Sequence, residues 1–361
     1  MKKLAKIVAI LTALSVTMTI VAGCAAQTST VETQEPRAAV GLHGSPDETF
    51  YMIQFLSGAE YWWPVYAGFK QAGALLGVQT TYVECPEYDA QAQLDVFEQV
   101  LARNPTGIMI APIFPDIFVE PINRAIDQGV AVITFGTDSP ESNRSAFITS
   151  DNVFEGQFAA RQLAEEVGGV GKFMTLRNPG QLNHDIRVDV FRQTIEEEFP
   201  GIVLVDDVPT NMDVEAAYNA VMTVAAMHPD LNGVFMPDAQ NGMGAARASV
   251  ELGGNIRVLC VDTSETVLDM IQAGEIWGTL NPDQGMQGFW GMMLLFVSAN
   301  PDLIEPMNHR KSFGLNPVFI PFMDNGLNVV TAENAAYFYI DAYIERLGYN
   351  SLAELLAPHV P

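Results

Sequence analysis

The sequence predicts an α/β fold made of two doubly wound, parallel-sheet lobes. From Phe50 onward, short continuous apolar runs alternate with stretches of helical spacing, as in parallel sheets that helices cover on both faces. About ten such runs are too many for one small domain, and the alternation breaks near Ser150. Polar and aromatic residues follow several runs, at the strand ends where such sheets bind ligands. The sequence therefore predicts two lobes around a binding cleft.

The first lobe begins with four predicted strands. These are the apolar runs FYMIQF (50–55), VQTTYVEC (78–85), GIMIAP (107–112) and VAVITF (130–135). After the first three strands, apolar residues recur at helical spacing, which predicts helices over 64–76, 89–103 and 117–128.

The second lobe repeats this alternation after Ser150. Its predicted strands are KFMTL (172–176), IVLVDDV (202–208), GVFMP (233–237), IRVLCVD (256–262) and WGTLN (277–281). Helical spacing predicts helices over 152–167, 184–199, 213–228, 243–252, 265–273 and 284–299.

The first residues have the pattern of an export signal. A lysine-rich start and a short apolar stretch precede Val21-Ala22-Gly23-Cys24, so we expect residues 1–23 to be a signal peptide. Small residues directly before a cysteine resemble a bacterial lipobox, which makes Cys24 the expected lipidation site; ordinary cleavage beside an incidental cysteine is the alternative. Residues 24–48 have few large apolar residues, which predicts a flexible tether.

The acidic composition and the missing motifs exclude several function classes. The chain has 43 Asp+Glu against 18 Lys+Arg, a net charge of −25, and such a surface repels nucleic acid. The histidines lack HExxH spacing, Cys85 and Cys260 lack CxxC spacing, and GxSxG is missing. GGVGK (168–172) lacks the upstream Gly and the Ser/Thr of a phosphate loop. We therefore expect no catalytic residues, metal or cofactor, and two free structural thiols.

Five motifs follow one another between about Thr49 and Asn334: FGTDSPESNR (135–144), ITSDN (148–152), VFMPDAQNGMGA (234–245), VLCVD (258–262) and GTLNPDQ (278–284). In this order and spacing they resemble the substrate-binding lipoproteins of ABC importers, in the sugar-binding group that includes ribose- and galactose-binding proteins. The resemblance implies the type I periplasmic binding protein fold, with a three-segment hinge near residues 150, 281 and 312. It divides the chain into an N-terminal lobe (49–149 and 282–311), a C-terminal lobe (150–281 and 312–334) and an added C-terminal helix and tail (335–361).

In the first lobe, the resemblance places ligand contacts after two strands. In GAEYWWP (58–64) it favours Trp62 for stacking on a sugar ring, ahead of Tyr61 and Trp63, with core packing as the alternative. Asp138 follows the fourth strand, and its carboxylate suits sugar hydroxyl groups, although it also suits a turn cap. Family members often carry Asp-Ser-Asp where this chain has Gly-Thr-Asp at 136–138, so one carboxylate is missing.

The loop RNPGQLNHDIR (177–187) supplies three candidates from the second lobe. Related proteins place a ligand arginine at the position of Asp185 or at that of Arg187, and only Arg187 is basic here. An ion pair away from the ligand is the alternative for Arg187. Asn183 is a ligand candidate or a helix N-cap.

The remaining candidates stand at later strand ends and in the hinge. Asp238 stands where the family usually shows Asn, and Gln240 follows on the same face. Asp262 occupies the position of a family ligand carboxylate, while Asp238 and Asp262 also have cap and turn interpretations. Asn281 matches a hinge amide of the galactose-type proteins, whereas the ribose-type Gln is replaced by Leu280.

The resemblance implies a receptor that binds a monosaccharide or sugar derivative in the cleft and delivers it to the membrane subunits of an ABC permease. A signal receptor or chemoreceptor of the same fold, for a furanosyl or cyclitol ligand, is one alternative, and a secreted carbohydrate-active enzyme is another. We expect an exported monomer, anchored in the lipid bilayer through Cys24 and facing the periplasm or the cell exterior.

Overall fold

The computed structural model describes residues 42–303 and 309–361. The chain first builds most of one lobe. In chain order its elements are β1 (Thr49–Ile53), α1 (Trp62–Leu76), β2 (Gln79–Val83), α2 (Ala90–Leu101), β3 (Gly107–Ile110), α3 (Val119–Asp127), β4 (Ala131–Phe135) and β5 (Ala146–Thr149).

The chain then crosses to a second lobe of the same design. Its elements are α4 (Asn152–Glu166), β6 (Gly171–Arg177), α5 (Leu182–Glu198), β7 (Ile202–Pro209), α6 (Val214–Met227), β8 (Leu231–Phe235), α7 (Ala239–Glu251), β9 (Arg257–Val261), α8 (Glu265–Gln272) and β10 (Gly278–Pro282). The last elements are shared between the lobes: α9 (Gln284–Ala299), α10 (His309–Ser312), β11 (Ile320–Asp324), β12 (Leu327–Val330), α11 (Ile340–Leu347) and α12 (Leu352–Leu356).

Each lobe contains one six-stranded sheet. The strand orders are β11-β5-β4-β3-β1-β2 and β12-β10-β9-β8-β6-β7, and every neighbouring pair is parallel except β10 and β12. Helices need polar caps where they begin, and Asp89, Asp151, Asp213 and Ser264 each accept a hydrogen bond from a first-turn amide. The predicted fold class is confirmed.

The chain crosses between the lobes at three hinge positions, and the structure corrects the predicted third one. The crossover expected near residue 312 lies instead between β11 and β12. β11 pairs with β5 of the first sheet, because the apolar run that contains Ile320 extends that sheet's edge, and the Ile320 amide donates to Ser145 O at 2.8 Å. Residues 312–324 therefore belong to the first lobe, and the chain returns to the second lobe at β12.

The C-terminal residues are more than an added helix and tail. We call residues 339–361 the C-terminal strap. Tyr339 donates a hydrogen bond of 2.8 Å to Asp269 on the second lobe, and beyond it Ile344 and Leu355 pack against Ala67 of α1. His359 then pairs with Thr80, so the strap ends on the edge strand β2 of the first lobe. It therefore contacts both lobes.

The two ends of the chain differ in how far the structure reaches. The predicted signal peptide, Cys24 and most of the tether lie outside the described residues. The tether was expected to extend to residue 48, but Gly44 already donates a backbone hydrogen bond to Leu76 O at 2.8 Å. Among the described residues, no helix is long and apolar enough to cross a membrane. Cys85 and Cys260 are free and buried, as expected.

Candidate functional site

The lobes contact each other beside the aromatic sequence that follows β1. The Glu265 amide on the second lobe donates to Glu60 Oε2 on the first at 3.1 Å. A cavity of about 20 Å³ beside this contact is lined by residues of both lobes and of the strap, including Trp63, Ser264 and Ile340. Such a volume holds about one water molecule. The strap and the loop after β1 thus leave almost no space between the lobes here.

A group of four side chains, which we call the interlobe cluster, lies between the lobes. It comprises Tyr61 from the first lobe and Glu155, Arg187 and Asp262 from the second. Arg187 Nε donates a hydrogen bond to Glu155 Oε2, and Arg187 Nη1 donates to Pro237 O at 3.3 Å. Among the described residues the Arg187 Nη2 group makes no hydrogen bond. Burial alone would lower the pKa of Arg187, but Glu155 and Asp262 outweigh it and raise the pKa.

Asp262 directs an unpaired carboxylate into this region. It follows β9 in a left-handed backbone conformation, with φ of 73°, which Asp tolerates better than most residues. Its side chain accepts no hydrogen bond from the described residues, although its amide donates to Leu280 O at 2.8 Å. Burial raises the pKa of the Asp262 carboxyl to about 6; Arg187 opposes the shift and Glu155 adds to it. A carboxylate held in this way is ready to accept hydrogen bonds from a ligand.

The first lobe contributes aromatic side chains. The Tyr61 hydroxyl donates to Gln287 Oε1 across 3.5 Å, and its pKa is raised by burial and by Asp262 across the cleft. The Trp62 ring packs edge-to-face against Phe135 and two other aromatic rings. Its Nε1 is buried and has no hydrogen-bond partner among the described residues. Trp62 is therefore a core residue of the first lobe that retains one free donor.

A larger cavity of about 610 Å³ lies between the lobes beside the first hinge crossover. Asp138 lines it from the first lobe and Asn183 from the second, next to Leu182 and Ile186. Most of its lining is apolar, a composition typical of small-molecule sites, and its volume is in the usual range for such sites. Asn183 does not act as the N-cap of α5, because Gln181 occupies that position.

Two of the predicted ligand residues, Asp238 and Asp185, form hydrogen bonds within their own lobe. Asp238 caps α7 by accepting from the Asn241 amide at 2.9 Å, and it also accepts from Asn178. Asp185 accepts from the Gly180 amide at 3.0 Å. For Asp238 the cap interpretation describes this structure, and for Asp185 the carboxylate stabilises the loop before α5.

Three further predicted residues lie outside the interlobe cluster. Asn281 is buried in the hinge and donates to Thr263 at 2.9 Å and to Gln284 at 2.6 Å. Gln240 is exposed on the first turn of α7 and makes no side-chain hydrogen bond with the described residues. Trp63 lines the 20 Å³ cavity rather than the interlobe cluster.

Sequence reasoning missed Glu155 and Gln287, although Glu155 left a signal. Glu155, Ala159 and Leu163 are spaced by four residues, so they share one buried face of α4. A carboxylate on an apolar face requires a buried partner or a functional role. Gln287 stands on the buried side of α9, in a stretch whose sequence indicates only core packing.

Known proteins share the two-lobed fold. A family model described as a periplasmic binding protein domain matches residues 50–300. The D-allose-binding periplasmic protein of Escherichia coli is 23% identical over 271 residues, which cover 71% of this chain and 86% of that protein.

Two solved structures resemble the whole two-lobed part of the chain. AraP, an arabinose binding protein from Geobacillus stearothermophilus, is 32% identical with a TM-score of 0.76, and the match covers 81% of this chain and 100% of AraP. A sugar-binding protein of a sugar ABC transporter from Bacillus halodurans matches with the same identity, TM-score and coverage.

Proposed function

Because the chain belongs to the periplasmic binding protein family, we propose that it is an extracytoplasmic receptor that binds a monosaccharide or sugar derivative between its lobes and delivers it to an ABC permease. The observation that carries this proposal is the set of unpaired polar groups in the interlobe region. Asp262 and Arg187 Nη2 belong to the second lobe, and Tyr61 of the first lobe lies opposite them in the interlobe cluster. A hydroxyl group both donates and accepts hydrogen bonds, so one polyol satisfies an acceptor and a donor of this kind.

Binding and closure are coupled in this proposal. A ligand that touches both lobes binds more tightly when they are together, and this difference in affinity shifts the hinge equilibrium toward closure. Tyr61 offers apolar ring surface from one lobe, while Asp262 and Arg187 orient hydroxyl groups from the other. The closed form then presents both lobes to the permease, and the ligand leaves chemically unchanged.

The test is a thermal-shift screen of residues 25–361 against pentoses, hexoses, deoxysugars, cyclitols, nucleosides and amino acids. A ligand at 100 times its dissociation constant stabilises the folded state by about 2.7 kcal/mol. We expect a sugar to raise the melting temperature of the wild type and to lose this effect in Asp262→Asn. Asp127→Asn is the control, since Asp127 is exposed on α3. A response to nucleosides or amino acids alone would contradict the sugar assignment.

Membrane attachment through Cys24 is the second part of the proposal. The sequence Val21-Ala22-Gly23-Cys24 supports it, since small residues precede the cysteine. In a bacterial host we expect the wild-type protein in the membrane fraction and the Cys24→Ser variant in the soluble fraction. Mass spectrometry of the N-terminal peptide would show acyl chains on Cys24. An unmodified cysteine there would contradict the anchor and leave the binding proposal intact.

A further inference from the structure

Glu155 is fully buried on α4, and its two carboxylate oxygens have different surroundings. Oε2 accepts a hydrogen bond from Arg187 Nε, whereas Oε1 has no partner among the described residues. A buried acceptor without a partner costs free energy, because it has given up its hydrogen bonds to water. Glu155 also influences Tyr61, on the opposite lobe, and Asp262 electrostatically. Its Oε1 atom is therefore an unpaired acceptor in the interlobe cluster.

The charges around this region do not balance. Glu155, Asp238 and Asp262 are carboxylates, and Arg187 is the only cation that influences Asp262 among the described residues. Arg187 is also partly occupied. A guanidinium binds a carboxylate best through two parallel N–H groups, but Glu155 takes Nε on one edge and Pro237 O takes Nη1 on the other. The Nη2 group that remains suits a single hydroxyl oxygen better than a carboxylate.

We propose that Glu155 is a specificity-determining residue that makes the cleft select a neutral sugar over a sugar acid. The inference rests on the proposed sugar-binding function. An arginine in a sugar site would otherwise attract acidic sugars, and Glu155 prevents this by pairing with Arg187 and by adding negative charge. A hydroxyl group, unlike a carboxylate, is also able to donate to Glu155 Oε1.

The test compares two series of sugars that differ only in the substituent at C5 of the ring. One series is L-arabinose, D-galactose and D-galacturonate, and the other is D-xylose, D-glucose and D-glucuronate. We expect the wild type to bind the best neutral member at least about tenfold more tightly than the matching acid in calorimetric titrations. Glu155→Gln keeps the shape of the side chain and removes its charge, so the ratio should move toward the acid by about tenfold.

A double variant tests whether the shift in the affinity ratio depends on Arg187. Adding Arg187→Gln to Glu155→Gln should abolish the gain for the acid, because the gain depends on the released guanidinium. Glu196→Gln is the control, since it removes an exposed charge from the same lobe and should leave the ratio unchanged. A folded Glu155→Gln protein with the wild-type ratio would overturn the proposal.

Measurements on the wild type test the proposal even if Glu155→Gln does not fold. Wild-type protein that binds a sugar acid as tightly as its neutral counterpart would overturn the role of Glu155 directly. Failure of the proposed function has a different signature, since the wild type would then bind none of the six sugars and none in the wider screen.

Discussion

Arg144 holds the carboxylate of Asp138 with two hydrogen bonds of 2.6 Å, one from Nε and one from Nη2. Both side chains are mostly buried, with 6% and 18% of their surfaces exposed. The Thr134 hydroxyl donates to the same carboxylate at 2.6 Å. Asp138 therefore lines the larger cavity, but its carboxylate is already hydrogen-bonded to Arg144 and Thr134 of its own lobe.

Replacing one member of this ion pair should destabilise the protein more than its share of replacing both members. We expect Asp138→Asn and Arg144→Met each to lower the free energy of unfolding by about 3 kcal/mol, because each leaves a buried group without its partner. The double variant should be less destabilised than the sum of the single variants, as urea denaturation would show. Arg124→Met is the control, since Arg124 pairs with the exposed Glu120. Loss of this exposed ion pair should lower the free energy of unfolding by only about 0–1 kcal/mol. Strict additivity in the Asp138 and Arg144 cycle would contradict the pairing.

The sequence predicted the alternating elements because buried parallel strands are continuous apolar runs. β5 was missed since it has only four residues, two of which are not fully buried, and its run is therefore short. β11 was assigned to the wrong lobe because a strand's sequence does not specify which sheet edge it joins; Ile320 pairs with Ala146, 174 positions earlier, a long-range contact.

The candidate site was predicted by residue type better than by role. Asp262 and Arg187 influence each other electrostatically, as expected for groups that follow the carboxyl ends of strands in one parallel sheet. Asp238 has the same residue type and strand-end position as Asp262, yet it caps a helix. Backbone direction separates them: Asp262 adopts a left-handed conformation that the sequence does not reveal. Glu155 was overlooked because its partner Arg187 lies on a different helix.

Asp262 should make the stability of the ligand-free protein depend on pH. Burial raises the pKa of its carboxyl from 3.8 to about 6 in the folded state. Between these values the folded protein holds a proton that the unfolded chain has released, so the Asp262 contribution to the free energy of unfolding falls as pH rises from about 4 to about 6. Asp238, with its pKa also raised by burial, acts in the same direction.

His184 acts in the opposite direction, so the comparison must isolate Asp262. Burial lowers the pKa of His184 from 6.5 to about 3, which favours folding as pH rises. We therefore compare the wild type with Asp262→Asn by urea denaturation at several pH values between about 4 and 7. The variant should gain stability relative to the wild type as pH rises, with little further gain above about 6.5. A difference that does not change with pH would contradict the raised pKa of Asp262.

Gly288 allows α1 and α9 to pack in close contact. A Cβ atom at this position would lie 1.7 Å from Val65 O, a backbone atom that has no room to move. We expect Gly288→Ala to lower the free energy of unfolding by about 3 kcal/mol or more, because the helices must separate. Gly285→Ala on the same helix is the matched control, since its nearest neighbours would be 3.6 Å away. That control should stay within about 1 kcal/mol of the wild type. Equal effects of the two substitutions would contradict the role of close packing.

Lys70 fixes the C-terminal strap to the first lobe. Lys70 is buried, with 4% of its surface exposed. Its ammonium group donates to the carbonyl oxygens of Glu354, Leu355 and Ala357, at 2.9, 2.9 and 2.8 Å. These carbonyls stand at the end of α12, where the helix leaves them without internal partners. Lys70→Met keeps the apolar stem of the side chain but removes all three hydrogen bonds, so the strap should detach before the lobes unfold.

Hydrogen exchange and limited proteolysis would measure this detachment. In Lys70→Met we expect faster amide exchange for residues 348–361 and a loss of about 3 kcal/mol in the free energy of unfolding, since charged hydrogen bonds are worth about 1.5–3 kcal/mol each and are not fully additive. Lys172→Met is the control, because Lys172 pairs with the exposed Asp230 and should change stability by no more than about 1 kcal/mol. Faster exchange throughout the first lobe, with none specific to the strap, would show that Lys70 stabilises the lobe as a whole. Faster exchange confined to the strap would show that the strap detaches as a separate unit while both lobes stay folded.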